Sequence, residues 1–166
     1  MSDLTFHRQA EVVVPGELPL SPALRRIGVR SQAEYETMRT KLHDAVPERA
    51  AAILQRVQVD HGQAWFFKEW TFIDHVNPST DDLIVVFNRR NGNPRFDMRW
   101  AFHDGEGATV QEETCRQLDA SGSYRIPIPF RCVHQAFRFS IRLDGHLAYE
   151  NVFGVDRQSV IVPTVK

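Results

Sequence analysis

The chain has 166 residues, of which 42% are hydrophobic and 25% charged, and its formal net charge is −1. These proportions are typical of globular proteins, so they exclude wholesale disorder and fibrous repeats. The near-neutral charge disfavours nucleic-acid binding, which needs a concentrated basic surface. We expect one domain over residues 1–166.

The first part of the chain predicts one strand followed by a helical hairpin. The strand runs from Leu4 to Val14. Ser31 and Glu34 have the spacing of a capping box and predict a helix start. Pro47 suits the first turn of a second helix, where its missing N–H has no partner to lose. We therefore expect a helical hairpin over about residues 31–60, with the apolar period of its second helix extending to Val57.

From residue 63 onward the pattern is typical of β-strands. Apolar side chains alternate with polar ones from Arg95 to His103 and again from Phe137 to Leu143, which predicts two half-buried strands. Asp144-Gly145 predicts a tight type I′ turn between the second of these strands and a returning one. Residues 64–76 predict one or two buried strands, with a helix as the alternative. Further strands are predicted at about residues 83–88, 108–117, 124–130 and 158–162.

This order of elements predicts an α+β fold, consisting of a predominantly antiparallel β-sandwich or flattened β-barrel with the helical hairpin packed against it. Pro127 and Pro129 cannot donate to a ladder, so the strand from Tyr124 to Phe130 should lie at a sheet edge, with Ile126, Ile128 and Phe130 on one side. An unprotected edge can pair with a second copy, and a homodimer is therefore a further prediction.

No residue spacing matches a specific catalytic, metal or nucleotide motif. The chain lacks HExxH, GxSxG, GxGxxG and GxxxxGK[ST] patterns, so we predict no cofactor and no metal. Cys115 and Cys132 match no zinc or redox signature, and two reduced thiols are predicted, with a disulfide as the alternative. The chain shows neither a signal peptide nor an apolar run long enough for a membrane span, which indicates the cytoplasm of a bacterium and no membrane partner.

The polar side of the two alternating strands is the candidate binding site. Arginines on neighbouring strands should form one hydrogen-bonding platform, and an exposed aromatic such as Trp70 or Tyr149 would add a stacking plane. The predicted ligand-binding residues are Arg95, Asp97, Arg99, Arg138, Arg142 and Tyr149. The alternative interpretation is an ordinary solvated face of an antiparallel sheet that binds no ligand.

One local order of residues is similar to galectin-like sandwiches. Pro129-Phe130 precedes an alternating strand, which is followed by the turn Asp144-Gly145-His146. The resemblance implies a sandwich and sugar binding. The chain departs from the family at its sugar-binding signature, because Asn93-Pro94-Arg95 lacks the preceding histidine pattern and no tryptophan follows at the expected place.

The sequence is compatible with two classes of function, one non-catalytic and one enzymatic. The first is a soluble non-catalytic binding or protein-interaction module, whose arginine-rich face binds a carbohydrate, an anionic small molecule or an acidic protein. The second is a small barrel-like enzyme that uses His and Asp or Glu for proton transfer in an internal cavity. A deep pocket lined by two or more of His75, His103, His134 and Asp97 would favour the enzyme.

Overall fold

The computed structural model describes residues 25–59, 71–88, 95–119 and 122–154. Its elements in chain order are β1 (Ile27–Val29), α1 (Gln32–Ala45), α2 (Pro47–Leu54), β2 (Val57–Val59), β3 (Ile73–Pro78), β4 (Asp82–Phe87), β5 (Arg95–His103), β6 (Thr109–Asp119), β7 (Ser123–Pro127), α3 (Phe130–Val133), β8 (Phe137–Leu143) and β9 (His146–Phe153). The predicted strands at Leu4–Val14 and 158–162 lie outside the described residues. The predicted α+β class is confirmed.

Two antiparallel sheets form a sandwich. One has the strand order β3-β4-β7 and the other β6-β5-β8-β9. Their facing sides share one apolar core, in which Leu83, Val85 and Ile126 of the first sheet lie with Trp100 and Phe139 of the second. Aromatic rings dominate the second sheet because its alternating positions carry Phe, Trp and Tyr.

Both strands with the clearest alternation behave as expected. In β5 the inner positions Met98, Trp100 and Phe102 are at most 2% exposed. The turn between β8 and β9 has positive φ at Asp144 (47°) and Gly145 (83°), as a type I′ turn requires. The two central strands of the larger sheet therefore have one buried and one outward face.

The prediction of an edge position for the proline-containing strand is confirmed within the described residues, where β7 is the last strand of its sheet. The strand ends at Pro127, however, and Phe130 begins the short helix α3. The prediction that Phe130 continues the strand beside Ile126 and Ile128 is wrong, because this turn of the chain leaves the Phe130 side chain 79% exposed.

Helix α1 begins where the capping spacing indicates. Ser31 Oγ accepts the Glu34 N–H at 3.2 Å. Only half of the capping box forms, because the Glu34 carboxylate accepts instead from the Arg30 N–H at 2.8 Å and from the Arg30 guanidinium. The helical hairpin is shorter than predicted, because α2 ends at Leu54 and Val57 begins β2. Val57 pairs with Ile27 in a parallel two-stranded ladder, a partner that helical periodicity does not reveal.

Helix α1 covers the outer edge of β9. The Glu150 N–H donates to Thr37 Oγ1 at 2.9 Å, so a backbone donor at the sheet edge is satisfied by a helix side chain. The Tyr149 hydroxyl donates to Glu36 Oε2 at 2.7 Å, and Lys41 Nζ donates to Glu150 at 2.8 Å. The helix therefore closes one side of the larger sheet. Among the described residues, no helix is long and apolar enough to cross a membrane.

Candidate functional site

The outward face of the larger sheet carries the polar row of two central strands. Antiparallel register places Arg99 of β5 opposite Arg142 of β8, Ala101 opposite Ser140, and His103 opposite Arg138. Residues that are directly opposite share a face of the sheet. Three of the predicted arginines, Arg99, Arg138 and Arg142, thus lie on one side.

A shallow groove of about 370 Å³ runs across this face, and we call it the polar groove. Its lining comprises Arg99, Trp100, Ala101, His103, Thr109, Glu112, Ser140, Arg142, Leu147 and Glu150. The small side chains of Ala101 and Ser140 lie opposite each other on the two central strands and form its floor. Longer polar side chains from four neighbouring strands surround this floor, so donors and acceptors meet in one place.

The guanidinium of Arg99 has a partner that it can exchange. Arg99 Nη2 lies 2.7 Å from Glu112 Oε2, and these side chains are 57% and 50% exposed. An exposed pair of this kind contributes about 0–1 kcal/mol to stability. Arg142 Nη1 donates to the carbonyl oxygen of Gly145 at 3.1 Å, also at the surface. Both guanidinium groups can therefore turn towards a ligand at small cost to the fold.

Arg138 has a structural connection to α1. It donates to both oxygens of Asp44, at 2.6 and 3.0 Å, and to Glu150 Oε1 at 2.6 Å. The hydrogen bond with Asp44 is the main cause that raises the pKa of Arg138. This arginine fastens the last turn of α1 to β8 and β9, and its hydrogen-bonding capacity is largely used within the protein.

The same contact predicts a pH dependence of stability. Hydrogen bonds from Arg138 lower the pKa of Asp44 below its ordinary 3.8. The contribution of this pair is therefore present above the ordinary value and is lost as pH falls through the lowered one. Asp44→Asn should destabilise the protein at neutral pH, by about 1 kcal/mol or less because the pair is partly exposed. Urea unfolding should show that this difference shrinks in acid, and an unchanged difference at low pH would contradict the assignment.

Two other predicted residues lie away from the polar groove. Asp97 Oδ1 accepts the Gln117 N–H at 2.9 Å, and Gln117 has a positive φ of 51° at an irregularity of β6. Asp97 therefore supports the backbone of the neighbouring strand. Arg95, at the beginning of β5, lines a separate cavity of about 660 Å³ beside α1, together with Arg30 and Met38.

The prediction that Tyr149 offers an exposed aromatic plane is wrong. Tyr149 is fully buried, and its ring lies 6.2 Å from that of Phe139. Burial and the neighbouring Glu36 carboxylate raise the pKa of the Tyr149 hydroxyl. The side chain belongs to the core and to the contact with α1. Trp70, the other predicted stacking residue, lies outside the described residues.

A bulge in β9 explains why the sequence pattern did not predict Leu147 as a residue of the polar groove. Ile141 pairs with Tyr149 but Arg142 pairs with Leu147, so Ala148 is the extra residue of a bulge. The bulge turns Leu147 onto the outward face, where it is 36% exposed and lines the polar groove. Strict alternation would have grouped Leu147 with Tyr149 on the inner face. Glu112 was also missed, because β6 lacks a clear alternation.

The histidines have separate, local contacts. His75 Nδ1 lies 3.1 Å from Asp74 Oδ2, His103 Nδ1 lies 3.2 Å from the Thr109 hydroxyl, and the His134 ring packs edge-on against Phe130. Within the described ranges, no group of three His, Cys, Asp or Glu side chains is arranged to hold a metal ion. Cys115 and Cys132 are free thiols.

Comparison with known proteins gives little further information. No protein-family model matches the chain, and no curated protein matches it. Among solved structures, Parabacteroides merdae β-glucuronidase is similar over 53% of this chain and 13% of the glucuronidase chain, at 15% sequence identity and a TM-score of 0.29.

Proposed function

We propose that the protein is a non-catalytic binding module whose polar groove takes a small, uncharged, hydroxyl-rich ligand of the carbohydrate class. The observation that supports this most is the mixture of groups in one groove. Arg99 and Arg142 supply planar donors, while Glu112 and Glu150 supply carboxylate acceptors. A sugar hydroxyl both donates and accepts, so it can use both kinds of group.

Charge favours this ligand over an anionic one. The groove lining contains two arginines and two glutamates, and Glu150 is also paired with Lys41 and Arg138. Because Lys41 and Arg138 balance the charge of Glu150, Glu112 is the carboxylate that would oppose a phosphate-rich or strongly acidic ligand. Leu147 adds an apolar patch at one end, which can contact the C–H face of a sugar ring.

Glycan-array binding tests the proposal. Wild type is expected to bind one group of neutral glycans, and Arg99→Ala and Arg142→Ala should each weaken this binding. Each truncation removes charge-assisted hydrogen bonds worth about 1.5–3 kcal/mol, which corresponds to roughly a tenfold to a hundredfold weaker affinity.

Arg125→Ala is the matched control. Arg125 is 68% exposed and lies 3.4 Å from Asp82 on the smaller sheet, so its truncation also breaks a surface arginine–carboxylate pair. It should leave glycan binding unchanged. Equal binding by all variants that remain folded by circular dichroism, or binding of acidic glycans alone, would contradict the proposal.

The proposed location is the cytoplasm. Free thiols at Cys115 and Cys132 agree with a reducing compartment. The alternative of acid–base catalysis in an internal cavity is a weaker hypothesis, because apolar side chains fill the space between the two sheets. Of the residues expected to line such a cavity, His103 lies in the open polar groove.

A further inference from the structure

Among the described strands, β6 is a long edge strand with exposed side chains. It contains 11 residues, and β5 is its neighbour in the described sheet. Glu112, Glu113, Thr114 and Arg116 are all exposed. The opposite edge of this sheet, at β9, is covered by α1. An edge of this length presents a row of backbone donors and acceptors that can pair with another strand.

The backbone hydrogen bonds show which residues of β6 face outward. The Asp144 N–H donates to the Asp97 carbonyl at 2.8 Å, so the Asp97 backbone faces β8. Backbone direction alternates along a strand, so Met98 and Trp100 face β6. Their partners there are Cys115 and Glu113, which must face back towards β5. Thr114, between them, therefore directs its N–H and C=O away from the sheet.

When two copies of β6 pair in antiparallel orientation, the charges of their side chains favour one register. In a symmetric antiparallel pair, the two-fold axis passes midway between one residue and the same residue of the second copy. This follows because two directly opposed residues must both direct their backbone groups towards each other or both away. An axis at Glu112 or Glu113 would place identical carboxylates opposite each other. An axis at Thr114 places Glu112 opposite Arg116 of the second copy, twice by symmetry. Opposite charges at directly opposed positions stabilise a strand pair.

We propose that the partner of β6 is a second copy of this chain, bound by antiparallel β6–β6 pairing centred on Thr114. The larger sheets of the two copies then form one continuous sheet. The edge at β7 suits such pairing less, because that strand has 5 residues and its Pro127 lacks an N–H. Since Glu112 lines the polar groove, Arg116 of the second copy lies at its border. Both grooves open on the same side of the joined sheet.

Sedimentation velocity from micromolar to near-millimolar concentration tests this proposal on the full chain. Wild type should form a dimer, and Thr114→Pro should remain monomeric but folded by circular dichroism, because proline removes an outward N–H without breaking the β5–β6 ladder. Thr114→Ala keeps this N–H and should still dimerise. Arg116→Glu leaves the backbone intact and should weaken the dimer about tenfold or more, since two attractive pairs become repulsive.

Arg125→Glu on β7 is the matched control for charge reversal and should retain the dimer. Wild type that stays monomeric at the highest concentration would overturn the proposal, as would a dimer that persists in folded Thr114→Pro. If Thr114→Pro fails to fold, Arg116→Glu decides the question: weakened association supports the β6 contact, and undiminished association excludes it. Loss of the dimer in Arg125→Glu instead would assign the contact to β7.

Discussion

Replacing Phe139 with alanine is expected to lower the free energy of unfolding by about 3–5 kcal/mol. Phe139 is fully buried at the centre of the larger sheet, and its ring centroid lies 4.7 Å from that of Phe102. Truncation removes the transfer free energy of the ring and leaves a cavity that aromatic neighbours fill only partly. Urea or thermal unfolding of the two proteins measures the difference.

Phe130→Ala provides a control with the same chemical change. Phe130 is 79% exposed, so its truncation should alter stability by about 0.5 kcal/mol or less. A loss below about 1 kcal/mol for Phe139→Ala would place this residue outside the core, in conflict with the sandwich.

Glu36→Ala is expected to destabilise the protein by about 2–6 kcal/mol. Glu36 Oε2 accepts from the Tyr149 hydroxyl at 2.7 Å and from Asn151 Nδ2 at 3.2 Å. Tyr149 is fully buried and Asn151 is 1% exposed, so truncation leaves two donors without a partner away from water. Each such group costs about 1–3 kcal/mol. Chemical denaturation monitored by circular dichroism measures the loss.

Comparison with Tyr149→Phe separates the hydrogen bond from general packing. This variant removes one donor and leaves Glu36 bonded to Asn151, so it should cost about 1.5–3 kcal/mol, the range for a hydrogen bond to a charged group. The double variant should lose less than the sum of the single losses, because both act on one contact. Glu48→Ala on the exposed side of α2 controls for helix propensity and should change stability by about 0.5 kcal/mol or less. Additive losses would show that Glu36 and Tyr149 are not coupled.

Patterns that depend on neighbouring residues predicted much of the fold. Alternation places Trp100 and Phe139 in the core, and the Asp144-Gly145 turn joins β8 to β9. The end of α2 was not predictable in this way. Val57 continues the helical period of α2, but it begins β2 because it pairs with Ile27 of β1, which lies 30 positions earlier.

Local patterns likewise predicted only part of the candidate site. Alternation along β5 and β8 predicts that Arg99 and Arg142 point outward, whereas their direct opposition depends on a register between strands. Strict alternation of side chains does not reveal the bulge that brings Leu147 to the polar groove. Arg138 could not be distinguished from Arg142, because its partner Asp44 lies 94 residues earlier on α1.

The contact between α1 and β9 also constrains the order in which the protein folds. Its hydrogen bonds join residues 109 to 115 positions apart, whereas the β8–β9 hairpin closes through a turn of two residues. Long loops close slowly, because their entropy is lost before contacts compensate for it. During synthesis α1 leaves the ribosome while β9 is still untranslated, so Glu36 lacks its two partners on β9 until Tyr149 and Asn151 are added, although Gln32 of the same helix donates to it. Coverage of the β9 edge by α1 is therefore a late event, and the nascent chain exposes the polar groups of α1 until then.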